Sequence, residues 1–279
     1  MKTYFFKICG VNFTLSTEKV LLVEGDSLPF LQEEISPDVH IQATTKHILM
    51  PKGQLLGGGT QRCAYQEGMN VIRCLAEGKE PYAMVEYGSD RKKVSLSIRD
   101  DAWYWASDKY HLWNSASLPH LLLAFRTLIF HASYIAYQGH GIIFAAPSGT
   151  GKSTQAELWK KYRNAKILNG DKVGVSVNEP VQVHGVPFSG TSGICENVSL
   201  PLSAVVILAQ AKTNSIRQLS PSEAAVELYP NVFIDRLVPD EWNHGLNLML
   251  DLISKVPVYL LECTPDEQAV ETLERVLNL

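Results

Sequence analysis

Residues 146–154 read Ala-Pro-Ser-Gly-Thr-Gly-Lys-Ser-Thr, a run whose residue types suit a phosphate chain. Gly149 and Gly151 let the backbone curl so that successive N–H groups point at phosphate oxygens. A helix that starts directly after the loop adds the positive end of its dipole. Lys152 is placed to neutralise outer phosphates, and the Ser153 hydroxyl is a magnesium ligand of the usual kind. Pro147, Ser148, Thr150 and Thr154 complete the expected nucleotide-binding set. The run departs from the pattern G-x-x-x-x-G-K-[ST] at its first position, where Ala146 stands and resists positive φ. The bland alternative is a chance glycine turn.

Phosphate chemistry also needs an acid, to hold a metal ion or take a proton. Asn169-Gly170-Asp171 follows the short apolar run Lys166-Ile167-Leu168, so Asp171 is expected at the end of a strand beside the loop. It is the candidate base and, with Ser153, the candidate metal ligand; the alternative is a turn aspartate. His131 enters through register. The segments 133–137 and 142–146 flank Gln138-Gly139-His140-Gly141. A hairpin centred between Gly139 and His140 places His131 opposite Ser148. A structural histidine is the competing reading. His184, Glu196, Asp235 and Arg236 are weaker candidates, read as surface or structural residues.

These groups need elements to hold them. Ile142-Ile143-Phe144-Ala145 suits a buried strand. Residues 153–162 suit a helix with Ala156, Trp159 and Tyr162 on one side. The first hundred residues look β-rich: Tyr82 to Tyr87 and Val94, Leu96, Ile98 flank a Gly-Ser-Asp turn as a hairpin would. Trp103, Tyr104, Trp105 and Trp113 read as core or interface. A change to alternating strands and helices places a boundary near residue 115, giving a β-rich domain over 1–115 and an α/β domain over 116–279. Ser117 is expected to cap a helix whose apolar stripe runs from Leu121 to Ile129. Ser220-Pro221-Ser222-Glu223 and Thr264-Pro265-Asp266-Glu267 both read as capping boxes. The final helix carries Ala269, Val270, Leu273, Val276 and Leu277.

Bulk properties limit the partners. The chain of 279 residues is 46% hydrophobic and 19% charged, as a fully cored protein is. A net charge of -4 supplies no basic excess for nucleic acid. No apolar run reaches membrane-span length and no signal peptide is visible, so no membrane partner is expected. Cys9, Cys63, Cys74, Cys195 and Cys263 lack metal-ligand spacing, which suits free thiols in a reducing cytoplasm.

With histidine, glycine loop and acid in this order, the segment from His131 to Thr154 resembles the HPr kinase/phosphorylase family, over roughly residues 120–279. The resemblance implies an α/β fold with a P-loop-containing core of the phosphoenolpyruvate carboxykinase kind, ATP and Mg2+ as cofactors, and catalytic roles for His131 and Asp171. The family's paired aspartates correspond to Gly170 and Asp171, so one acid is missing. Its downstream glutamate-arginine motif is absent; residues 187–193 read Pro-Phe-Ser-Gly-Thr-Ser-Gly. The chain looks more like the family's divergent bacterial kinases, some associated with peptide modification. Three readings stand: a kinase acting on a hydroxyl, such as a serine of a peptide or protein; a nucleotide-binding regulator with little turnover; and a small-molecule kinase. A homo-oligomer is compatible with each.

Overall fold

The computed structural model describes residues 1–21, 23–77, 80–108 and 111–277. It is mixed α/β with two sheets, in two compact units: Met1–Phe125 with Ile234–His244, and Arg126–Phe233 with Gly245–Leu279. The first unit therefore reaches past residue 115 and takes back a later segment. No helix among the described residues is long and apolar enough to cross a membrane. The five cysteines are free thiols.

In the first unit, strands β1 (Lys2–Ile8), β2 (Val11–Thr17), β3 (Leu31–Gln32), β4 (Val39–Thr45), β5 (Gln54–Gly58), β6 (Arg62–Glu67), β7 (Asn70–Glu77), β8 (Glu80–Tyr87) and β9 (Lys93–Ile98) form one sheet. Its order is β3-β1-β2-β4-β9-β8-β7-β6-β5. Period-two burial drives it: Ala83, Val85 and Tyr87 of β8 and Val94, Leu96 and Ile98 of β9 all face inward. The expected hairpin forms, with Ala83 opposite Ile98 and Tyr87 opposite Val94. Three short helices follow, α1 (Trp103–Ala106), α2 (Leu112–Ser115) and α3 (Leu118–Leu122). Trp103 and Trp113 are core, and Trp113 meets Phe6 and Phe13 edge-on; Tyr104 is exposed. The returning segment is tied in by charge. Arg73 bonds Asp235 and Glu241, and Glu241 also accepts from Tyr87 and Arg91.

Two sequence expectations fail here. Ser117 sits in the left-handed region (φ 55°) with no side-chain cap bond, so it does not cap α3. The stripe also ends early, because left-handed Arg126 (φ 52°) breaks the chain and Leu128 and Ile129 enter a strand.

The second unit contains β10 (Thr127–Tyr137), β11 (His140–Ala145), α4 (Lys152–Arg163), β12 (Lys166–Asn169), β13 (Lys172–Ser176), β14 (Gln182–Gly185), β15 (Ser199–Gln210), β16 (Ser215–Gln218), α5 (Pro221–Leu228), α6 (Pro239–Lys255, whose start belongs to the first unit), β17 (Val258–Cys263) and α7 (Glu267–Glu274). The sheet runs β11-β10-β13-β14-β15-β17-β16, and a further β11–β15 pairing closes a circuit of five strands. Strand β15 pairs in parallel with both β11 and β17, with Ala145 beside Ile207 and Ile207 beside Leu260. Their carboxyl ends therefore open at one edge, the place where ligands gather in parallel sheets. Helix α4 is held there by Ala156 and Trp159, buried against Phe144, Val206 and Leu261 in one apolar cluster.

The capping box at Ser220 forms, with Glu223 bonding back to the Ser220 backbone. The second box does not. Asp266 caps α7 by accepting from the Ala269 N–H, and Thr264 instead donates to Asp266. Helix α7 stops at Glu274, so Val276 and Leu277 pack beyond its end.

Candidate functional site

Strand β11 delivers the chain into the glycine loop, and α4 takes it away. Gly149 (φ 81°) and Gly151 (φ 124°) occupy conformations that side chains resist. Ala146 stands outside the left-handed region and is wholly buried, so the missing leading glycine costs the loop no backbone strain. The first intrahelical bond here runs from the Gln155 N–H to the Gly151 carbonyl. The N–H groups of Lys152, Ser153 and Thr154 thus face outward from the helix start, where an anion is stabilised. The loop is tethered from β15: Gln210 donates to the Thr150 carbonyl at 3.3 Å.

Lys152 is buried, and its ammonium bonds the Ala146 carbonyl at 2.9 Å and reaches the Pro147 carbonyl at 3.4 Å. Burial lowers its pKa, while Asp171 opposes that shift. The lysine is a cation held by two backbone carbonyls.

The acid is positioned by Asn169. This residue is completely buried, donates to the Val186 carbonyl at 2.8 Å, and accepts from the N–H groups of Asp171 and Lys172 at 3.2 and 3.3 Å. An Asx turn of this kind fixes the direction of the next residues. The Ala132 N–H also bonds the Asp171 carbonyl at 3.0 Å. Asp171 and His131 therefore sit side by side, with His131 Nε2 3.4 Å from Asp171 Oδ1.

The hairpin register differs from expectation. Tyr137 pairs with His140 and Ala132 with Ala145, so the turn is centred between Gln138 and Gly139. Moving the centre by one residue moves every partner by two, which preserves the sheet face. His131 keeps the orientation expected of it, although Ser148 is no longer its formal partner. Its pKa is lowered, first by burial and then by Lys152 and Lys172, with Asp171 pulling the other way. That direction favours the neutral imidazole, the form that can accept a proton.

One cavity of about 290 Å³ gathers these groups. Its walls carry His131, Asp171, Lys152 and Ser153, together with Ser148, Gly149, Gly151, Thr154, Gly170 and Thr191. Thr150 lines a second opening on the other flank of the loop, and Pro147 contributes its carbonyl. Among the described residues no three His, Cys, Asp or Glu side chains converge as a metal cage. One carboxylate and one hydroxyl suit Mg2+, which is commonly held by one or two protein oxygens plus substrate phosphates. Gly170 is crowded rather than open. A Cβ there would lie 2.5 Å from Ser192 Cβ, so the turn Gly190–Ser192 fills the space an acid would need.

The weaker candidates stand elsewhere. His184 is buried between Ser176 and Ser199, and burial depresses its pKa to about 4. Glu196 pairs with Lys166, Asp235 bonds Arg73 and His120, and Arg236 lies over the Trp242 ring. The sequence reading missed Asn169, Thr191 and Gln210. Gln210 had a signal: it directly follows the apolar run 204–209, so it was due at a strand's carboxyl end.

The family model described as "SynChlorMet cassette protein ScmC" matches residues 120–278, more than half of the chain and all of this site. The chain belongs to the ScmC family. No curated protein matches it. Among solved structures, the HPr(Ser) kinase/phosphatase from Coxiella burnetii is similar at 12% identity, over 53% of this ScmC-family chain and 93% of that one, with a TM-score of 0.32. A likeness that loose carries no argument about fold or chemistry.

Proposed function

We propose that the chain is an ATP-dependent phosphotransferase, a kinase moving the γ-phosphoryl group of ATP to a hydroxyl, such as a serine of a peptide or protein. The carrying observation is the convergence of Lys152, Ser153, Asp171 and His131 on one cavity at the start of α4. In this reading the second unit is a P-loop core of the phosphoenolpyruvate carboxykinase kind, and the protein works in the cytoplasm.

The residues divide the work as follows. The N–H groups of residues 152–154 and the Lys152 ammonium hold the phosphate oxygens and stabilise charge that builds up during transfer. Ser153 and Asp171 would hold Mg2+, which when bound neutralises charge on the outer phosphates. The acceptor oxygen forms a bond to the γ-phosphorus as the bond to the bridging oxygen breaks, releasing ADP. The acceptor's proton passes to Asp171 or to the neutral His131 imidazole.

A second reading is favoured by one observation. The packed Gly170 leaves a single carboxylate on the cavity, which suits a nucleotide-binding regulator with little turnover. Incubating the purified chain with γ-labelled ATP, Mg2+ and either candidate peptides or cell extract separates the two. Label on a serine supports the kinase; nucleotide binding without transfer to any acceptor supports the regulator.

A further inference from the structure

The opening on the other flank of the glycine loop has a different character. It measures about 370 Å³, and none of the described residues that line it is charged. Leu208, Ala211 and Pro265 give it apolar wall. Gly149, Gly151 and Thr154 line both openings, so the two adjoin at the loop. One end is thus ionic and polar, the other neutral, with the outward N–H groups of α4 at the junction.

Gln155 marks the neutral end. Only 2% exposed, it donates its amide N–H to Cys263 Sγ at 3.2 Å, while its Oε1 is buried with no hydrogen-bond partner among the described residues. A buried acceptor left unpaired is a standing cost that a ligand donor removes. We infer that this second cavity holds the nucleoside of the bound nucleotide, and that Gln155 Oε1 accepts a hydrogen bond from it. The donor is an exocyclic amino group on the base or the ribose 2′-hydroxyl. This rests on the phosphate-binding reading of the adjoining cavity.

The test is titration calorimetry on the full chain with ATP, inosine triphosphate, 2′-deoxy-ATP and inorganic tripolyphosphate, repeated on Gln155→Met. The wild type should bind ATP at least about tenfold more tightly than tripolyphosphate. One analogue should bind about tenfold more weakly than ATP, roughly one hydrogen bond to a buried group: inosine triphosphate if the amino group is the donor, 2′-deoxy-ATP if the hydroxyl is. In Gln155→Met that analogue and ATP should become equal. Equal binding of ATP and tripolyphosphate by the wild type overturns the nucleoside site while leaving the phosphate site standing. Equal weakening of all four ligands by Gln155→Met reduces Gln155 to a structural role and overturns the inference. No binding of any ligand removes both readings. A wild-type measurement guards against misfolding of the variant: ATP should protect the half-buried Cys263 thiol from maleimide, and tripolyphosphate should not. Equal protection by the two overturns the inference.

Discussion

Replacing Gly170 with alanine probes how the site came to hold one acid. The backbone at Gly170 is not left-handed, so alanine is allowed there conformationally, and the steric term dominates. Its Cβ would lie 2.5 Å from Ser192 Cβ, and rotating the Ser192 side chain cannot relieve a contact between two β-carbons. The turn must move instead. Ser192 Oγ donates to the Ser189 carbonyl at 2.6 Å and accepts from the Ile194 N–H at 3.1 Å, and moving the turn strains both bonds. Two hydrogen bonds at about 0.5–1.5 kcal/mol each, or overpacking at about 1–3 kcal/mol, give an expected loss of about 2 kcal/mol. Ser192→Gly removes the obstructing atoms. In that background Gly170→Ala should be neutral, or stabilise by about 0.4–1 kcal/mol through the unfolded chain. Denaturant unfolding of the wild type, both single variants and the double variant reads the coupling directly. A coupling below about 0.5 kcal/mol, within the scatter of independent sites, refutes the reasoning. The turn would then not be what excludes an acid from position 170.

Three further outcomes follow from the site. Asp171→Asn should lower phosphoryl transfer by about 100-fold or more while nucleotide affinity stays within a few-fold, as loss of an acid–base group does; near-normal turnover would move the acid role elsewhere. His131→Ala should depress turnover and remove an acid limb that lies below the ordinary histidine value of about 6.5, with little change in melting temperature; a destabilised but fully active variant would make it a packing residue. His184 has its folded-state pKa depressed to about 4, so the unfolded chain binds its proton more readily and stability falls as pH drops below about 6.5. Between pH 6.5 and 4.5 that group should cost ~2 kcal/mol by linkage, and His184→Gln should flatten that part of an unfolding-versus-pH curve.

What the sequence shows of this fold depends on range. The loop, the strand before it and the helix after it are local, each determined by a few neighbouring residues, and they stand where the pattern puts them. Asp171 was legible for the same reason, because a short apolar run and a Gly-Asp step place it. The hairpin register was off because the turn centre was inferred from two glycines, Gly139 and Gly141, whereas left-handed Gln138 (φ 49°) and Gly139 (φ 81°) make the turn. The error fell on an even number of residues, so His131 kept its face. The helix drawn through Leu128 and Ile129 failed because apolar spacing does not distinguish a buried strand from a helix. The pairing of β15 with β11 and β17, each about fifty residues or more away, leaves no local trace, and neither does the packing of Ser192 on Gly170. Those pairings create the neutral cavity with Gln155, Gln210 and Cys263.

In the proposed function the cavity at the start of α4 holds the outer phosphates of a nucleotide for transfer. Lys152→Ala is the decisive variant, because it removes the cation bonded to the Ala146 and Pro147 carbonyls. ATP affinity should be measured by calorimetry and label transfer from γ-labelled ATP on the same preparations, with unfolding curves to confirm both are folded. The account predicts affinity lower by about 10- to 100-fold, the worth of a charged hydrogen bond, and transfer abolished. A folded Lys152→Ala protein that binds ATP and transfers phosphate as the wild type does would contradict it.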